Sequence, residues 1–436
     1  MAKRYVIVGA GVAGISAAEQ IRRQDAEASI QVVNGENYPF YRRLSLSTYL
    51  QGNTTLDSLI VKSPAEYETL NIEVVAGRVS RIDPIAQVLS LANGVDLNYD
   101  GLILATGGRA VAPPIAGIEK NLAGVRVGYW DLKDTLWYEE RAKTAKNAVV
   151  IGAGVLGLEL ADCMERQGLA ITMLQLGDRL GEPLTDVDAG EVIARRVRES
   201  GADFRLKTSA SEIIGDENGN VIAVRTSEGE EIPADLVGVC CGIRANTEFL
   251  AGSGVQLERG CIAVDAHLQT NFDTIYAAGD CTWLNDSQMV GWRPNRTWQV
   301  ATMQGMIAAT NLLGQPKRYE EGLFYNAGVL YDLPYTLLGV FNPPEDEGFT
   351  SRTYDPGADP FAYFKLTFKD DKLVGALLIG RQKRTQILRK MMEGQMNVAG
   401  AEDRLMDPKF KPSHLKDIQT AGDRDVEEKI AAYASR

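Results

Sequence analysis

Six glycines, set in two groups of three, are the residues of this sequence whose spacing can do chemistry. Gly9, Gly11 and Gly14 lie in Tyr5-Val-Ile-Val-Gly-Ala-Gly-Val-Ala-Gly14, and Gly152, Gly154 and Gly157 lie in Ala148-Val-Val-Ile-Gly-Ala-Gly-Val-Leu-Gly157. Each group follows a β-branched run and precedes a helix-forming stretch. In that setting the first glycine makes a tight turn, the second lets a pyrophosphate approach the backbone, and the third lets helix pack on strand. The free N–H groups and positive dipole end of the helix then hold phosphate. Ala13 and Leu156, each just before a third glycine, are expected to line the same turns. The first expectation is therefore dinucleotide binding at two places.

An acidic residue about 20 positions beyond the glycines should bond the adenosine ribose hydroxyls. After the first motif the candidate is Glu36, with Asn34 in the slot directly after the strand, although a solvated surface glutamate would look the same. After the second motif that slot holds Gln175, which is neutral, and Arg179 comes four residues later. A carboxylate there would favour NADH and repel a 2′-phosphate; glutamine does neither strongly. NADH and NADPH both stand open.

The elements that must position these turns are readable around them. Helix-forming stretches follow at Ile15 to Arg23 and Leu158 to Gln167, then apolar strands at Ile30-Gln-Val-Val33 and Ile171-Thr-Met-Leu174. Two such strand–helix–strand units predict a doubly wound parallel sheet in each. Gly101-Leu-Ile-Leu-Ala-Thr-Gly107 and Leu236-Val-Gly-Val-Cys-Cys-Gly242 read as further buried strands ending in turns, and Ala112-Pro-Pro-Ile-Ala-Gly117 reads as a linker. A third region starts near Leu313-Gly-Gln-Pro316. It carries a hairpin signal in which Tyr363 to Phe368 and Leu373 to Ile379 flank Lys369-Asp-Asp-Lys372. The charged tail from Asp423 to Arg436 reads as helical without a legible role. The expected fold class is α/β: two doubly wound dinucleotide-binding domains, one inserted in the other, plus a C-terminal α+β domain. The boundaries expected are 1–112 with 243–318, then 113–242, then 319–436.

At 436 residues the chain is too long for one core. A net charge of −12 disfavours nucleic acid. No apolar run is long enough to span a bilayer. The first strand begins within five residues, leaving no room for a signal peptide, so the expectation is a cytoplasmic protein. Cys163, Cys240, Cys241, Cys261 and Cys281 show no Cys-x-x-Cys or Cys-x4-Cys spacing and are expected as buried reduced thiols. His267 and His414 are the only histidines, too few for a multi-histidine metal centre.

The sequence resembles the FAD-dependent pyridine nucleotide–disulfide oxidoreductase superfamily over residues 3 to 380. Within it, the likeness is to the branch of rubredoxin reductases, nitrite reductase flavoproteins and ferredoxin reductases of oxygenase systems. Besides the two fingerprints, it rests on Ala105-Thr106-Gly107 and on Thr274-Ile-Tyr-Ala-Ala-Gly279-Asp280. It rests too on Tyr41-Arg-Arg-Leu-Ser-Leu-Ser47 and on Gly291-Trp-Arg-Pro294 with Gln304-Gly305. The resemblance implies FAD at the first fingerprint and NADH or NADPH as cosubstrate at the second. It implies that Asp280 bonds the ribityl chain, and that Arg42 or Arg43 lies near the pyrophosphate or ring. It also implies that Glu159 orients the nicotinamide end, and that Gly242 with Ile243-Arg244-Ala245-Asn246 touches the nicotinamide nucleotide. Where the family usually has proline, this chain has Ala245.

One departure is informative. Relatives that use thiol chemistry carry one or two cysteines after the first unit, whereas Tyr38 to Gly52 holds none. Ser45 and Ser47 cannot form a disulfide, and Cys281 is expected to pack. Hydride from the nicotinamide would then reach the flavin and leave without a thiol relay. Candidate acceptors are a rubredoxin- or ferredoxin-type carrier, or alternatively dioxygen or a quinone. A redox-responsive flavin-containing binding protein is the reading of a different class. Arg381, Lys383, Arg384, Arg389 and Lys390 form a basic patch on one predicted helix that could steer a small acidic carrier, or be a solvated face. Trp283, Trp292 and Trp298 are candidates to border the ring or to pack in the core. The C-terminal domain resembles one that pairs subunits in some relatives and not in others, so monomer and homodimer both stand open.

Overall fold

The computed structural model describes residues 2–284, 295–344, 347–354, 359–380, 384–407 and 410. The quoted segment Gly291–Pro294 with Trp292, the patch residues Arg381 and Lys383, His414 and the charged tail lie outside them. The chain divides into two compact units: residues 1–111, 130–139 and 242–321, and residues 112–129, 140–241 and 322–436.

In the first unit the strand Arg4–Val8 buries Tyr5 to Val8 on both faces, as a strand inside a parallel sheet must. It pairs in parallel with Ser29–Asn34 on one side and Gly101–Leu104 on the other. Ile72–Ala76 and Ile275–Ala277 complete the five-stranded sheet at its edges. The helix Val12–Gln24 returns over the sheet and buries Ile15, Ala17, Ala18 and Ile21. Each isoleucine contributes roughly 1.5–3 kcal/mol by leaving water, and each alanine methyl about 0.8 kcal/mol. A second helix, Trp298–Leu312, crosses the first so closely that a Cβ on Gly305 would lie 2.1 Å from the Ala13 carbonyl oxygen.

The second unit repeats the plan. Its parallel sheet runs Val125–Val127, Leu236–Val239, Asn147–Ile151, Ala170–Gln175, Asp203–Leu206, with Val155–Arg166 as the first crossover helix. The C-terminal residues of this unit form a five-stranded antiparallel sheet. Its Tyr363–Lys369 and Lys372–Ile379 strands join through Asp370 and Asp371, both at positive φ, the backbone of a tight two-residue hairpin. The helices Thr385–Glu393 and Glu402–Met406 cover one face through Leu388, Met391 and Leu405.

Polar contacts tie this sheet to the rest of its unit. Asp186 caps the helix Val187–Ser200 and accepts from Tyr363 Oη at 2.7 Å and Lys365 Nζ at 2.8 Å. Burial alone would raise the Asp186 carboxyl; Lys365, the Ala189 N–H and Tyr363 hold it below the usual range. Arg166 and Arg196 both reach Asp332 in the turn of another hairpin.

The basic helix differs from its sequence reading. It begins at Thr385, and Arg384 is buried at its N-cap, donating to the Leu405 and Asp407 carbonyls and stacking on Phe364. Arg389 pairs with Glu393. Arg384 therefore holds the fold together rather than displaying charge. Among the described residues no helix is long and apolar enough to cross a membrane.

Candidate functional site: two dinucleotide turns

The turn after Arg4–Val8 is built as the glycine spacing requires. Gly9 stands at φ 113°, and a Cβ there would lie 2.2 Å from the Ala105 carbonyl oxygen. Its N–H donates to Val33 O at 2.9 Å. Gly14 lets the helix close on that turn, since its Cβ would lie 1.9 Å from Gly9 O. Gly11 is exposed, with open space where a Cβ would go. Ala13 is buried and packs under Gly279, whose added Cβ would meet it at 3.1 Å.

The Ala105-Thr106-Gly107 segment is fixed from the side. Thr106 Oγ1 donates to Asn246 O at 2.8 Å, while Asn246 donates from its side chain to Thr106 O at 2.9 Å and from its backbone to Gly107 O at 3.0 Å. The strand Gly108–Ala110 continues this pairing with Ile243–Ala245. Gly242 and the segment 243–246, implied to touch the nicotinamide nucleotide, thus belong to the first unit.

At the end of Ser29–Asn34, Asn34 staples the turn by accepting from Glu36 N at 3.0 Å and donating to Tyr38 O at 2.7 Å. The Glu36 carboxylate accepts from Arg43 Nη2 and from Tyr41 Oη, each at 2.6 Å. Arg43 also donates to the Trp130 carbonyl and lies over the Tyr41 and Trp130 rings. Arg43 therefore turns inward, and Arg42 is exposed. Burial works against the Arg43 charge, but Tyr41, Glu36 and Asp131 keep it protonated.

Asp280 follows the edge strand Ile275–Ala277. The Gly279 N–H before it donates to Gln304 Oε1 at 2.8 Å, which holds the turn to the second helix. The Asp280 side chain is half-buried, and no described residue hydrogen-bonds to its carboxylate. Burial pushes its carboxyl up, opposed by Arg296 and Arg43. Among the described residues, Arg296 Nε and Asn295 Oδ1 are buried with no hydrogen-bond partner. Trp298 begins the helix and stacks on Phe40 with centroids 5.7 Å apart. Trp283 stacks under Arg259. Arg296 is a contributor that no motif marked; Asn246 and Gln304 lie in marked segments, but their bonds to Thr106 and Gly279 were not readable there.

The second turn matches the first. Gly152 stands at φ 93° with its N–H on Leu174 O at 2.8 Å, and Gly157 meets Gly152 O at 1.9 Å through an added Cβ. Leu156 and Glu159 are half-buried on the first turns of the helix. Burial pushes the Cys163 thiol up, with the charges of Asp162 and Glu159 adding to it. Gln175 accepts from Ala153 N at 2.9 Å and donates to Glu182 Oε2 at 3.3 Å.

All five cysteines are free thiols. Cys281 is fully buried, its thiol on Leu104 O and Ala278 O, and burial pushes its pKa up. Cys163 and Cys261 are also buried, but Cys240 is half-buried and Cys241 exposed. The apolar run suggested burial for that pair; the strand ends at Val239 instead, so Cys241 stands beyond the sheet.

Two phosphate turns at strand ends, each opening on a helix N-terminus, define a protein that holds two dinucleotides. The chain belongs to the pyridine nucleotide-disulphide oxidoreductase family, whose model matches residues 3–305. FAD and NADH or NADPH are the cofactors of that family. The first unit fits FAD: among the described residues it has an open glycine at the helix N-terminus, a carboxylate that accepts no hydrogen bond, and buried polar atoms without partners. The chain is 30% identical to nitrite reductase [NAD(P)H] of Bacillus subtilis over 91% of its own length and 48% of the relative's. It is 31% identical to putidaredoxin reductase of Pseudomonas putida over 77% of this chain and 80% of that one. It thus spans about half the length of the nitrite reductase and of the B. subtilis assimilatory nitrate reductase electron transfer subunit. Among solved structures it resembles the reductase in a covalent putidaredoxin reductase–putidaredoxin complex, with a TM-score of 0.83, 25% identity and 99% of each chain covered. A ferredoxin reductase from Rhodopseudomonas palustris gives a TM-score of 0.82 at 26% identity, covering 93% and 99%.

Proposed function

We propose that the protein is an NAD(P)H oxidoreductase that carries electrons through FAD to a small ferredoxin- or rubredoxin-type protein, with no thiol relay. The observation that carries this reading is the pairing of two complete dinucleotide turns with a stretch, Tyr38 to Gly52, that holds no cysteine. Bound FAD supplies the chemistry of accepting hydride and releasing electrons singly. The side chains bind and orient. The helix beginning at Val12 offers its N–H groups to a pyrophosphate, and Asp280 is free to accept from a polyol hydroxyl. Glu36, Tyr41 and Arg43 fix the wall beside them. Glu159, on the second fingerprint helix, would meet the nicotinamide end.

The buried Cys281 is held as a neutral thiol by its surroundings, and the thiolate is the reactive form. No general acid or base is needed for hydride transfer, and none of the described site residues is a histidine. Relatives named for putidaredoxin and ferredoxin support the choice of acceptor class. Others are named NADH oxidase, which keeps dioxygen as the second reading. A cytoplasmic location accords with five unpaired thiols.

The test is anaerobic mixing with NADH and NADPH, then an acceptor panel. Flavin bleaching followed by sustained turnover with a ferredoxin or rubredoxin supports the reading. Rapid oxygen uptake with no carrier turnover favours the oxidase, and slow bleaching with no turnover favours a redox-responsive binding protein.

A further inference from the structure

The second fingerprint leaves its ribose slot neutral by sequence, because Gln175 stands where a carboxylate would decide between the two nicotinamide dinucleotides. The structure fills that slot from elsewhere. Gln175 is the last residue of its strand, and its side-chain oxygen accepts from Ala153 N, inside the glycine turn, at 2.9 Å. That fixes the amide orientation and points its NH2 group the other way. The NH2 donates to Glu182 Oε2 at 3.3 Å. The loop after the strand thus folds back and sets a carboxylate beside the strand end.

The arrangement is built rather than incidental. A Cβ on Gly177 would lie 1.6 Å from Glu182 Oε2, so a side chain there would push the carboxylate out of this position. The Glu182 side chain keeps 33% of its surface exposed, enough to meet a ligand. Arg179, the nearby guanidinium whose charge suits a phosphate, is already engaged. It pairs with Asp178 at 2.6 Å, donates to Thr185 O at 2.9 Å and stands 3.8 Å from Glu182. Residues 176–182 contain Asp178, Arg179 and Glu182 as their charged members, leaving one net negative charge. Lys207 touches the loop through its backbone N–H on Gly177 O at 2.9 Å, and its side chain is exposed.

In strand–helix–strand dinucleotide folds, the adenosine ribose hydroxyls lie at the end of the second strand, where an acid accepts from both. We propose that Glu182, presented by Gln175, is the specificity-determining residue for the nicotinamide nucleotide and selects NADH over NADPH. This rests on reading the second fingerprint as the nicotinamide site. The carboxylate accepts from the 2′-hydroxyl of NADH and repels the doubly charged 2′-phosphate of NADPH.

Calorimetric titration of the FAD-containing protein with ADP-ribose and with 2′-phospho-ADP-ribose tests this by binding alone. The expected result is that the natural protein binds ADP-ribose at least about tenfold more tightly, the discrimination of one well-placed charge. Glu182→Gln keeps size and hydrogen bonding and should bring the two within about threefold, mainly by tightening the phosphorylated fragment. Lys207→Ala should leave the preference for ADP-ribose in place. A natural protein preferring the 2′-phosphate, or a Glu182→Gln variant with an unchanged ratio, overturns the proposal while leaving the nicotinamide reading intact. If neither fragment binds the natural protein, that reading falls and the proposal with it.

Discussion

Gly14 and Gly157 meet the same obstacle: an added Cβ on either would lie 1.9 Å from the carbonyl oxygen of the glycine that opens its turn. The backbone bonds that set the two turns agree within 0.1 Å, 2.9 Å for Gly9 N to Val33 O and 2.8 Å for Gly152 N to Leu174 O. Beyond the turns the units diverge. In the first, a second helix presses Gly305 against Ala13, Gln304 ties down Gly279, and Glu36, Tyr41 and Arg43 close the wall. In the second, the strand end rests on one glutamine, Gln175, and on a folded-back loop that carries Glu182. On the proposed reading, these matching phosphate turns are braced for different occupancy: a group that stays, and a cosubstrate that leaves each cycle.

Gly14→Ala against Gly157→Ala is the strongest way to break that comparison. Overpacking at such contacts costs about 1–3 kcal/mol or more. Gly14→Ala should give protein that purifies colourless with a lowered melting temperature. Gly157→Ala should stay yellow but lose at least about tenfold in affinity for NADH, read by titration of the flavin spectrum. Equal loss of flavin in both would erase the distinction.

Asp280→Asn sharpens it next. Losing a charged hydrogen-bond partner is worth about 1.5–3 kcal/mol, so FAD should dissociate roughly 10- to 100-fold more readily, measured by fluorescence of released flavin. In the FAD-free protein the sign reverses. Burial raises the Asp280 carboxyl, so its protonated form favours folding at low pH. That contribution is lost as pH rises through the raised pKa. FAD-free Asp280→Asn should therefore melt higher than the unsubstituted protein at neutral pH, with the gap closing in acid. A gap that widens in acid would contradict the assignment.

Glu36→Gln strips Arg43 of its carboxylate. Both groups are about one-third exposed, so the expected loss is about 1–3 kcal/mol in urea unfolding, below the cost of breaking a fully buried pair. Gln175→Ala, at the matching strand end, should cost less. The smallest effect is expected from Cys281→Ala: turnover with a carrier protein within about twofold of the unsubstituted value, since the thiol only fills space beside Leu104 and Ala278.

Much of this was legible because it is local. The strand–glycine–helix pattern at Val8 to Val12 and Ile151 to Val155 needs only residues adjacent in sequence, and so do the hairpin at Asp370-Asp371 and the missing cysteines after Tyr38. Residues acting across the fold were silent. Asn246 reaches Thr106 across 140 residues, and Gln304 reaches Gly279 across 25; both lie in segments the sequence marked, but nothing local names these partners. Glu182 carries no mark in the sequence, because its position depends on Gln175 turning its amide and on Gly177 leaving room. Arg384 shows the opposite error: a run of basic residues suggested a charged face, while the Leu405 and Asp407 carbonyls and the Phe364 ring had buried one of them.

Counting reducing equivalents tests the central claim, that no thiol stores electrons, most directly. Under anaerobic titration with NADH, one equivalent per bound FAD should complete the bleaching, with the number of alkylatable thiols unchanged throughout. Uptake of two equivalents per FAD, with two new thiols appearing as the first is consumed, would contradict it.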